Sequence, residues 1–327
     1  MTGSSSSSVS SASSSADDHV YAAITDVHDD ARWAFGTGFD DPLSGVDTTV
    51  PSTVDGADLA AYCLMLGDDA LIMSHRLQEW ATLLPELEDE VAVANIALDL
   101  LGQARLLLAR AGHAEGSSVG SSPGSSLGSS PGSSPGSSLG SRGEDELAYF
   151  RDEPQFRNVW LAEIDNGDFA HAMARLLVFA TWRLAVLSRL VTSIDPVLAA
   201  IAAKGVKEVT YHRDYAARWV VRLGDGTPLS TARMRDGLAA VWPYVDELFV
   251  THPLETRLVQ AGVAVAPATV RGEFDDVLAQ VLAAATLDRP TVPPLAGGGR
   301  DGVHTEAMAP LLGELQGVAR AHPEATW

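Results

Sequence analysis

The amino-acid sequence predicts an all-α protein, a four-helix bundle with additional peripheral helices, and three observations support this class. Apolar residues recur at alternating spacings of three and four, while alternating strand patterns are missing almost everywhere. Two pairs of long helical segments, each helix about 25 residues and so roughly 37 Å long, are joined by short turn signals. With 46% hydrophobic residues, the chain has enough apolar side chains for a sizeable core.

The first helix pair is predicted at residues 58–84 and 86–111, with Pro85 between the two helices. Three acids open the second helix, where they suit the positive end of the helix dipole. One row of apolar residues at spacings of three and four is expected to face the bundle interior: Leu87, Val91, Ala94, Leu98, Leu101 and Leu108.

The second helix pair is predicted at residues 168–193 and 196–224. Asp195-Pro196 opens the latter helix, because proline suits the first helical position, and a Gly-Asp-Gly turn ends it. The long connection between the pairs, residues 112–167, is similar to the crossover of ferritin-like bundles. Shorter helices are predicted at residues 144–151, 231–249, 267–287 and 305–322.

Composition indicates the domain organisation. Residues 1–56 form an N-terminal segment, of which the serine-rich residues 1–18 are expected to be disordered because they cannot contribute to a core. Residues 57–327 are predicted to form a single ferritin-like helical domain. A Gly/Ser-rich insertion at 114–143 interrupts this domain and is expected to be flexible.

Charge and cysteine content exclude several classes of protein. A formal charge of -21 argues against nucleic-acid binding, which needs clustered cations. The most apolar helix contains Arg175, Arg183 and Arg189, so we expect no membrane span. The single cysteine, Cys63, cannot form an internal disulfide, and no secretory signal is visible, so the sequence indicates a cytoplasmic protein.

Bundles of this shape commonly hold a di-iron centre. Such a centre needs a Glu or Asp from each of two helices and a Glu-x-x-His pair from each of the other two. The first helix offers Glu79, which could serve as a ligand, and the third has no acid between residues 169 and 194. The second helix carries a polar line of Asn95, Asp99 and Gln103 but no Glu-x-x-His pair.

The fourth helix has His212, but Val209 stands three residues before it, where the paired glutamate would be needed. The sequence therefore predicts that a functional di-iron site is missing. The polar line on the second helix is equally well explained as a solvated edge, and Glu208 with His212 as an ordinary surface pair. If Glu79 and His212 both face inward, a protonated His212 could neutralise that carboxylate.

Four stretches resemble the structural C subunits of bacterial phenylacetyl-CoA epoxidases, and together they cover nearly all of residues 57–327. They read LAAYCLMLGDDALIMSHRLQEWATLLPELEDEVAVANIALDLLGQARLLLARAG, RGEDELAYFRDEPQFRN, KGVKEVTYHRDYAARWVVRLGDGT and GVHTEAMAPLLGELQ. The Gly/Ser-rich insertion departs from the family pattern, which has a short connection there.

The resemblance implies a set of vestigial ligand positions. The homologous catalytic subunits carry Asp-Glu-Ala-Gly-His on the second helix, where this chain reads Asp99-Leu100-Leu101-Gly102-Gln103. They carry Glu-Ser-Phe-His on the fourth helix, where this chain reads Val209-Thr210-Tyr211-His212. Glu79 resembles the ligand retained on the first helix.

The resemblance further implies that this chain is a non-catalytic, ferritin-like subunit of a multicomponent monooxygenase in aerobic phenylacetate degradation. Its implied partners are a homologous catalytic A subunit with a di-iron centre, a small B subunit, and a reductase with FAD and an iron–sulfur cluster that takes electrons from NADPH. No cofactor is expected in this chain itself. Candidate faces for pairing with the A subunit include those of the first two helices.

Two other functions remain open from the residues. One is an autonomous di-iron oxidase. The other is an acyl-CoA-binding module, for which Lys204 and Lys207 could contact the CoA phosphates, although surface charge on an amphipathic helix explains these lysines more simply.

Overall fold

The computed structural model describes residues 43–84, 86–119 and 142–325. In this part of the chain the all-α prediction is confirmed, because it contains ten α-helices and no β-strand. The helices are α1 (Gly56–Ala81), α2 (Leu87–Val119), α3 (Glu144–Tyr149), α4 (Trp160–Glu163), α5 (Phe169–Leu190), α6 (Pro196–Gly224), α7 (Pro228–Val241), α8 (Pro253–Gln260), α9 (Arg271–Ala284) and α10 (Met308–Ala321).

Three aspartates define where the long helices begin. The side chain of Asp55 accepts hydrogen bonds from the backbone N–H groups of the first turn of α1, at 2.8 and 3.1 Å. Asp168 caps α5 in the same way, and Asp195 caps α6 just before Pro196. Each cap satisfies a backbone donor that has no partner within its helix, and is worth about 1 kcal/mol.

The shorter helices differ from the sequence prediction mainly at their ends. The predicted helix 231–249 begins earlier, at Pro228, and ends at Val241, after which Pro243 lies in a short 3-10 turn. A proline cannot donate the backbone hydrogen bond that would continue an α-helix. Helices α4 and α8 were not predicted, since four and eight residues are too few for a clear periodic pattern.

Helix α2 is longer than predicted. It continues to Val119 rather than ending near Gly112, so the predicted insertion at 114–143 begins inside a helix. Ala114 is buried, and Glu115 pairs with Arg142 at 2.6 Å where the chain returns. A Cβ atom on Gly112 would lie 1.9 Å from the Arg142 carbonyl oxygen, so only glycine permits this close return. Residues 1–42 and 120–141, which include the segment predicted to be disordered, lie outside the described residues.

Four long helices form the bundle. Helices α1 and α2 pack as one pair, α5 and α6 as the other, and α2 contacts α6 to join the pairs. Helix α7 packs closely on α5. At Gly237 of α7 the two backbones are so near that an added Cβ atom would lie only 2.8 Å from the His171 backbone nitrogen. Helix α10 lies against α3, and α9 lies against α5 and α6.

Two helices are long and apolar enough to cross a membrane by length and composition alone, within Leu87–Ser117 and Phe169–Leu190. The apolar window of α5 is 94% buried inside the protein, as is typical of a core helix. The window of α2 is only 44% buried, which shows that one side of this helix is apolar and uncovered.

That uncovered side is the row that the sequence predicted to face the interior, so the prediction was wrong about the buried face of α2. Leu87, Val91 and Leu98 are 68%, 51% and 52% exposed, and only Leu108 of the row is buried. The core is instead lined by a second apolar set on the same helix: Val93, Ile96, Ala97, Leu100, Ala104, Leu107, Leu108 and Ala111. Helix α2 has two apolar faces, and periodicity alone does not indicate which of them is buried.

We expect Gly237→Ala to lower the free energy of unfolding by about 1–3 kcal/mol, because the added methyl group meets the α5 backbone, which cannot move without disturbing the core. Gly313→Ala on α10 is the matched control. No atom lies within 4 Å of its Cβ position, so the better helix propensity of alanine should stabilise the protein by up to about 1 kcal/mol. Urea unfolding followed by circular dichroism measures both, and equal effects would contradict the close packing of α7 on α5.

A buried histidine predicts a pH dependence of stability. His304 Nδ1 lies 2.7 Å from Glu163 Oε2, and its Nε2 lies 3.2 Å from the Phe156 carbonyl oxygen, so both nitrogens face acceptors. Burial alone would lower the pKa of His304, but the Glu163 carboxylate and the Phe156 carbonyl outweigh it and raise this pKa above its ordinary value.

A raised folded-state pKa means that the contribution of His304 to stability is fully present below the unfolded value of about 6.5 and is lost as the pH rises through the folded value. We therefore expect the free energy of unfolding of the wild type to fall more steeply above pH 6.5 than that of His304→Gln. Urea unfolding at half-unit pH steps tests this, and parallel profiles for the two proteins would rule it out.

Candidate functional site

The register between α1 and α2 determines which residues meet at the bundle centre. Ser74 Oγ donates a hydrogen bond to the Ala97 carbonyl oxygen at 2.7 Å. Closer to the start of α1, a Cβ atom on Gly67 would lie 3.2 Å from Leu108 Cδ2. These two contacts place Asp69 at the level of Gln103 on α2.

Gln103 lies at the meeting point of three helices and is fully buried. Its Oε1 accepts a hydrogen bond from Arg183 Nε of α5 at 2.9 Å, and its Nε2 donates to Glu208 Oε2 of α6 at 2.9 Å. Lys204 forms an ion pair with the same glutamate. Gly205 of α6 leaves room for the amide, since a Cβ atom there would lie 3.4 Å from Gln103 Cδ.

Arg183 contributes a permanent positive charge to this centre. Besides its bond to Gln103, it donates from Nη1 to the Leu66 carbonyl oxygen at 3.2 Å, and its Nη2 is buried without a hydrogen-bond partner. Burial lowers the pKa of Arg183 to about 10, against the opposing effect of the Asp69 carboxylate. The guanidinium is therefore still charged at neutral pH.

His212 and Asp99 form another polar contact between α2 and α6, one turn from Gln103 on α2. His212 Nε2 lies 3.0 Å from Asp99 Oδ2, and the His212 side chain is 1% exposed while that of Asp99 is 37% exposed. The interpretation of Glu208 and His212 as a surface pair is corrected by this placement. Asn95, in contrast, is exposed, so the polar line on α2 runs from solvent at Asn95 to the interior at Gln103.

Leu100 and Val209 are both fully buried and apolar. They stand at the positions where the resemblance implies glutamate ligands in the catalytic homologues. In this chain the two side chains contribute to the hydrophobic core and offer no oxygen to a metal ion.

Glu79 does not belong to this centre. It lies ten residues after Asp69 on α1, which is about 15 Å along the helix axis. Its carboxylate accepts hydrogen bonds from Arg76 Nη1 and from Asn166 Nδ2, each at 3.0 Å to Oε2. Both the assignment of Glu79 to the first-helix ligand position and its suggested pairing with His212 are therefore corrected.

The carboxylate that α1 brings to the level of Gln103 is Asp69, which the sequence reasoning overlooked. Asp69 is fully buried and accepts hydrogen bonds from both terminal nitrogens of Arg300, at 3.0 and 2.8 Å, and from the Val159 N–H at 2.9 Å. Its neighbour Asp68 is equally buried and pairs with Arg151. Two adjacent acids inside an otherwise apolar helical run were the signal that could have revealed them.

The donor set at this level differs from the one that two metal ions require. A di-iron centre uses about four carboxylates and two histidines whose lone pairs face a shared space. Here Asp69 is paired with Arg300, Glu208 with Lys204, and Asp99 with His212. Helix α5 contributes a guanidinium in place of a carboxylate, and this set of residues does not fit a pair of iron ions.

The two lysines suggested for CoA binding lie on α6. Lys204 is half-buried and held by Glu208, so its charge is already neutralised within the Gln103 network. Lys207 is exposed. The lysines are three residues apart and face different surroundings.

Fold and centre together define a class: a ferritin-like, all-α bundle whose centre is filled by side-chain hydrogen bonds and apolar packing. The family model described as phenylacetic acid catabolic protein matches residues 45–327, and the chain belongs to this family. It is 38% identical over 269 residues to the C subunit of the 1,2-phenylacetyl-CoA epoxidase of Escherichia coli (strain K12), an alignment that covers 82% of this chain and 99% of that relative.

We expect Gln103→Ala to lower the free energy of unfolding by about 1–3 kcal/mol, because Arg183 Nε loses its acceptor inside the core. Asn95→Ala, two turns earlier on the same helix and exposed, should change it by less than about 0.5 kcal/mol. Urea unfolding of the two variants compares them directly. A Gln103→Ala protein as stable as Asn95→Ala would mean that the amide does not support the buried arginine.

Proposed function

We propose that this chain is a non-catalytic structural subunit of a phenylacetyl-CoA ring epoxidase, and that it pairs with and stabilises a homologous di-iron catalytic subunit. The observation that carries the proposal is the chemistry of the bundle centre. Arg183 supplies a buried positive charge there, and Leu100 and Val209 fill two ligand positions with apolar side chains. The centre therefore offers no set of free carboxylate and histidine ligands for two iron ions, so oxygen activation belongs to a partner.

The cofactors then lie outside this chain. In this proposal the di-iron centre belongs to the catalytic A subunit, and FAD and an iron–sulfur cluster belong to a reductase that takes electrons from NADPH. A small B subunit completes the complex. The assembled enzyme inserts one oxygen atom of dioxygen into the aromatic ring of phenylacetyl-CoA during aerobic phenylacetate degradation.

The uncovered face of α2 supports pairing with another helical bundle. This face, the α2 seam, consists of Leu87, Val91, Ala94, Leu98 and Leu101. Leu87, Val91 and Leu98 are exposed, whereas Ala94 and Leu101 are partly buried against the core. A row of apolar residues at spacings of three and four is the surface that a second helix packs against. Contiguous exposed apolar surface of this kind marks a protein interface.

Helix α6 lies beside the α2 seam and extends it. Tyr215 Oη donates a hydrogen bond to Asp89 Oδ1 of α2 at 2.8 Å, and Trp219 Nε1 donates to the same oxygen at 3.1 Å. Tyr211, 49% exposed, lies one helical turn before Tyr215 with the rings stacked at 6.4 Å. Tyrosine is enriched in protein interfaces, and an obligate interface typically buries more than about 2,000 Å².

We further propose a cytoplasmic location. Cys63 is buried and free, and burial raises the pKa of its thiol far above the ordinary range, so it stays protonated and unreactive. This state needs no oxidising compartment. A cytoplasmic location is also where acyl-CoA substrates and NADPH are available.

Co-expression with the catalytic subunit of the same system tests the proposal. We expect the two chains to co-purify, with all the iron of the complex carried by the catalytic partner and no iron on this chain purified alone. Stoichiometric iron on the isolated chain would instead favour an autonomous oxidase. Affinity of the isolated chain for CoA in a calorimetric titration would favour the acyl-CoA module.

The role of the α2 seam has its own test. Leu87→Glu and Leu98→Glu should each give at least tenfold weaker pairing with the catalytic partner, because each places an unpaired charge in an apolar contact and costs about 1.4 kcal/mol or more. Val250→Glu, at a residue that is 65% exposed outside α2 and α6, is the matched control. Circular dichroism first establishes that all three variants fold. Unchanged affinity for the catalytic partner in both seam variants would show that the interface lies on another surface of this chain.

A further inference from the structure

Three potential metal ligands converge at the end of α1, away from the bundle centre. His75 and Glu79 lie one turn apart on α1, and Glu314 reaches the same place from α10. One ligand atom from each of the three side chains lies within 4.8 Å of the other two. None of the residues at the bundle centre takes part in this cluster.

The imidazole of His75 is the informative member of the cluster. Its Nε2 is buried and has no hydrogen-bond partner, and it faces Glu79 Oε1 at 3.8 Å, too far for a hydrogen bond. A buried ring nitrogen without a partner is unfavourable, because it has lost its hydrogen bond to water. A metal ion between the nitrogen and the two carboxylates would satisfy it.

The surrounding side chains hold Glu79 in an orientation suited to binding an ion. Arg76 Nη1 and Asn166 Nδ2 both donate to Glu79 Oε2, at 3.0 Å. Asn166 is itself fixed, because its Nδ2 also donates to the Arg76 carbonyl oxygen at 2.8 Å and its Oδ1 accepts from Arg175. Arg76 Nη1 also donates to Glu79 Oε1, at 3.3 Å, and this oxygen faces His75. Partners of this kind orient a ligating carboxylate.

Donor type and charge also suit a divalent cation. A neutral imidazole offers a nitrogen lone pair, and this is the form of histidine that binds metal ions. Two carboxylates then balance the charge of one divalent cation.

We propose that His75, Glu79 and Glu314 bind one Zn²⁺ ion, with water at the remaining position. One imidazole nitrogen with two carboxylate oxygens is a ligand set that zinc takes, whereas magnesium prefers oxygen ligands alone. Spacing of four residues puts the two α1 ligands on one face of the helix. The ion would cross-link α10 to α1 and so fix the C-terminal helix on the bundle.

This site is independent of the proposed pairing with a catalytic subunit, since it uses neither the α2 seam nor the Gln103 network. The results of the iron analysis and of the partner-binding experiment therefore do not bear on this site. It can be tested separately on the isolated full-length chain. Without a bound ion, His75 and Glu79 would be an ordinary pair on adjacent turns of a helix. The experiment separates these two cases.

The test is a calorimetric titration of the untagged, chelator-treated chain with ZnCl₂, with excess Mg²⁺ present to occupy the many exposed carboxylates. We expect one site per chain and, in His75→Ala and Glu314→Gln, an affinity at least about tenfold lower. His113→Ala and Glu306→Gln, at exposed positions outside the cluster, are the matched controls and should bind zinc as the wild type does.

X-ray absorption at the zinc edge provides a second readout, with one nitrogen ligand lost in His75→Ala. Glu314 is exposed, so Glu314→Gln should fold normally and decides the question even if His75→Ala does not fold. The proposal is overturned if the wild type shows no saturable site, or if Glu314→Gln binds zinc with wild-type affinity.

Discussion

Asp68 and Asp69 lie fully buried near the middle of α1, and a carboxylate in an apolar interior is stable only when a cation or several donors pair with it. Arg151 reaches Asp68 from the segment after α3, and Arg300 reaches Asp69 from the segment before α10. These two ion pairs therefore attach the crossover and the C-terminal region to the bundle. The same two carboxylates also hold the chain just before α4, since they accept hydrogen bonds from the N–H groups of Arg157 and Val159.

The same need to give every buried charged group a polar partner explains the contacts at the bundle centre. Arg183 enters from α5 at the place where a metal-binding relative would need a carboxylate, and Gln103 connects it to Glu208. Hydrogen bonds thus join three helices that metal coordination would otherwise join. Hydrogen bonds and apolar packing therefore fill the centre, while one apolar face of α2 remains exposed.

Several features of the fold and the site were predictable from the sequence, and the reasons for the failures are specific. Asp195-Pro196 marked the start of α6 correctly, since the effect of a cap and a first-turn proline acts over three or four residues. The resemblance aligned Leu100, Gln103 and Val209 with ligand positions of the catalytic homologues, and all three residues are buried. Glu79 was misplaced because the sequence gives the position of a residue along its own helix but not which residues of the neighbouring helix lie beside it. That register between α1 and α2 depends on tertiary contacts such as the hydrogen bond from Ser74 to Ala97.

By itself, the sequence determined that this protein is helical, that its helices pair into a bundle, and that the third long helix brings no acid to the centre, because these properties follow from local propensity and residue type. Only the tertiary structure decided which apolar face of α2 is buried and which cation neutralises each buried acid. Periodicity specifies a face but not the surface that covers it. The ion pairs join residues far apart in the chain, such as Asp69 and Arg300, and their choice depends on packing that no local pattern contains.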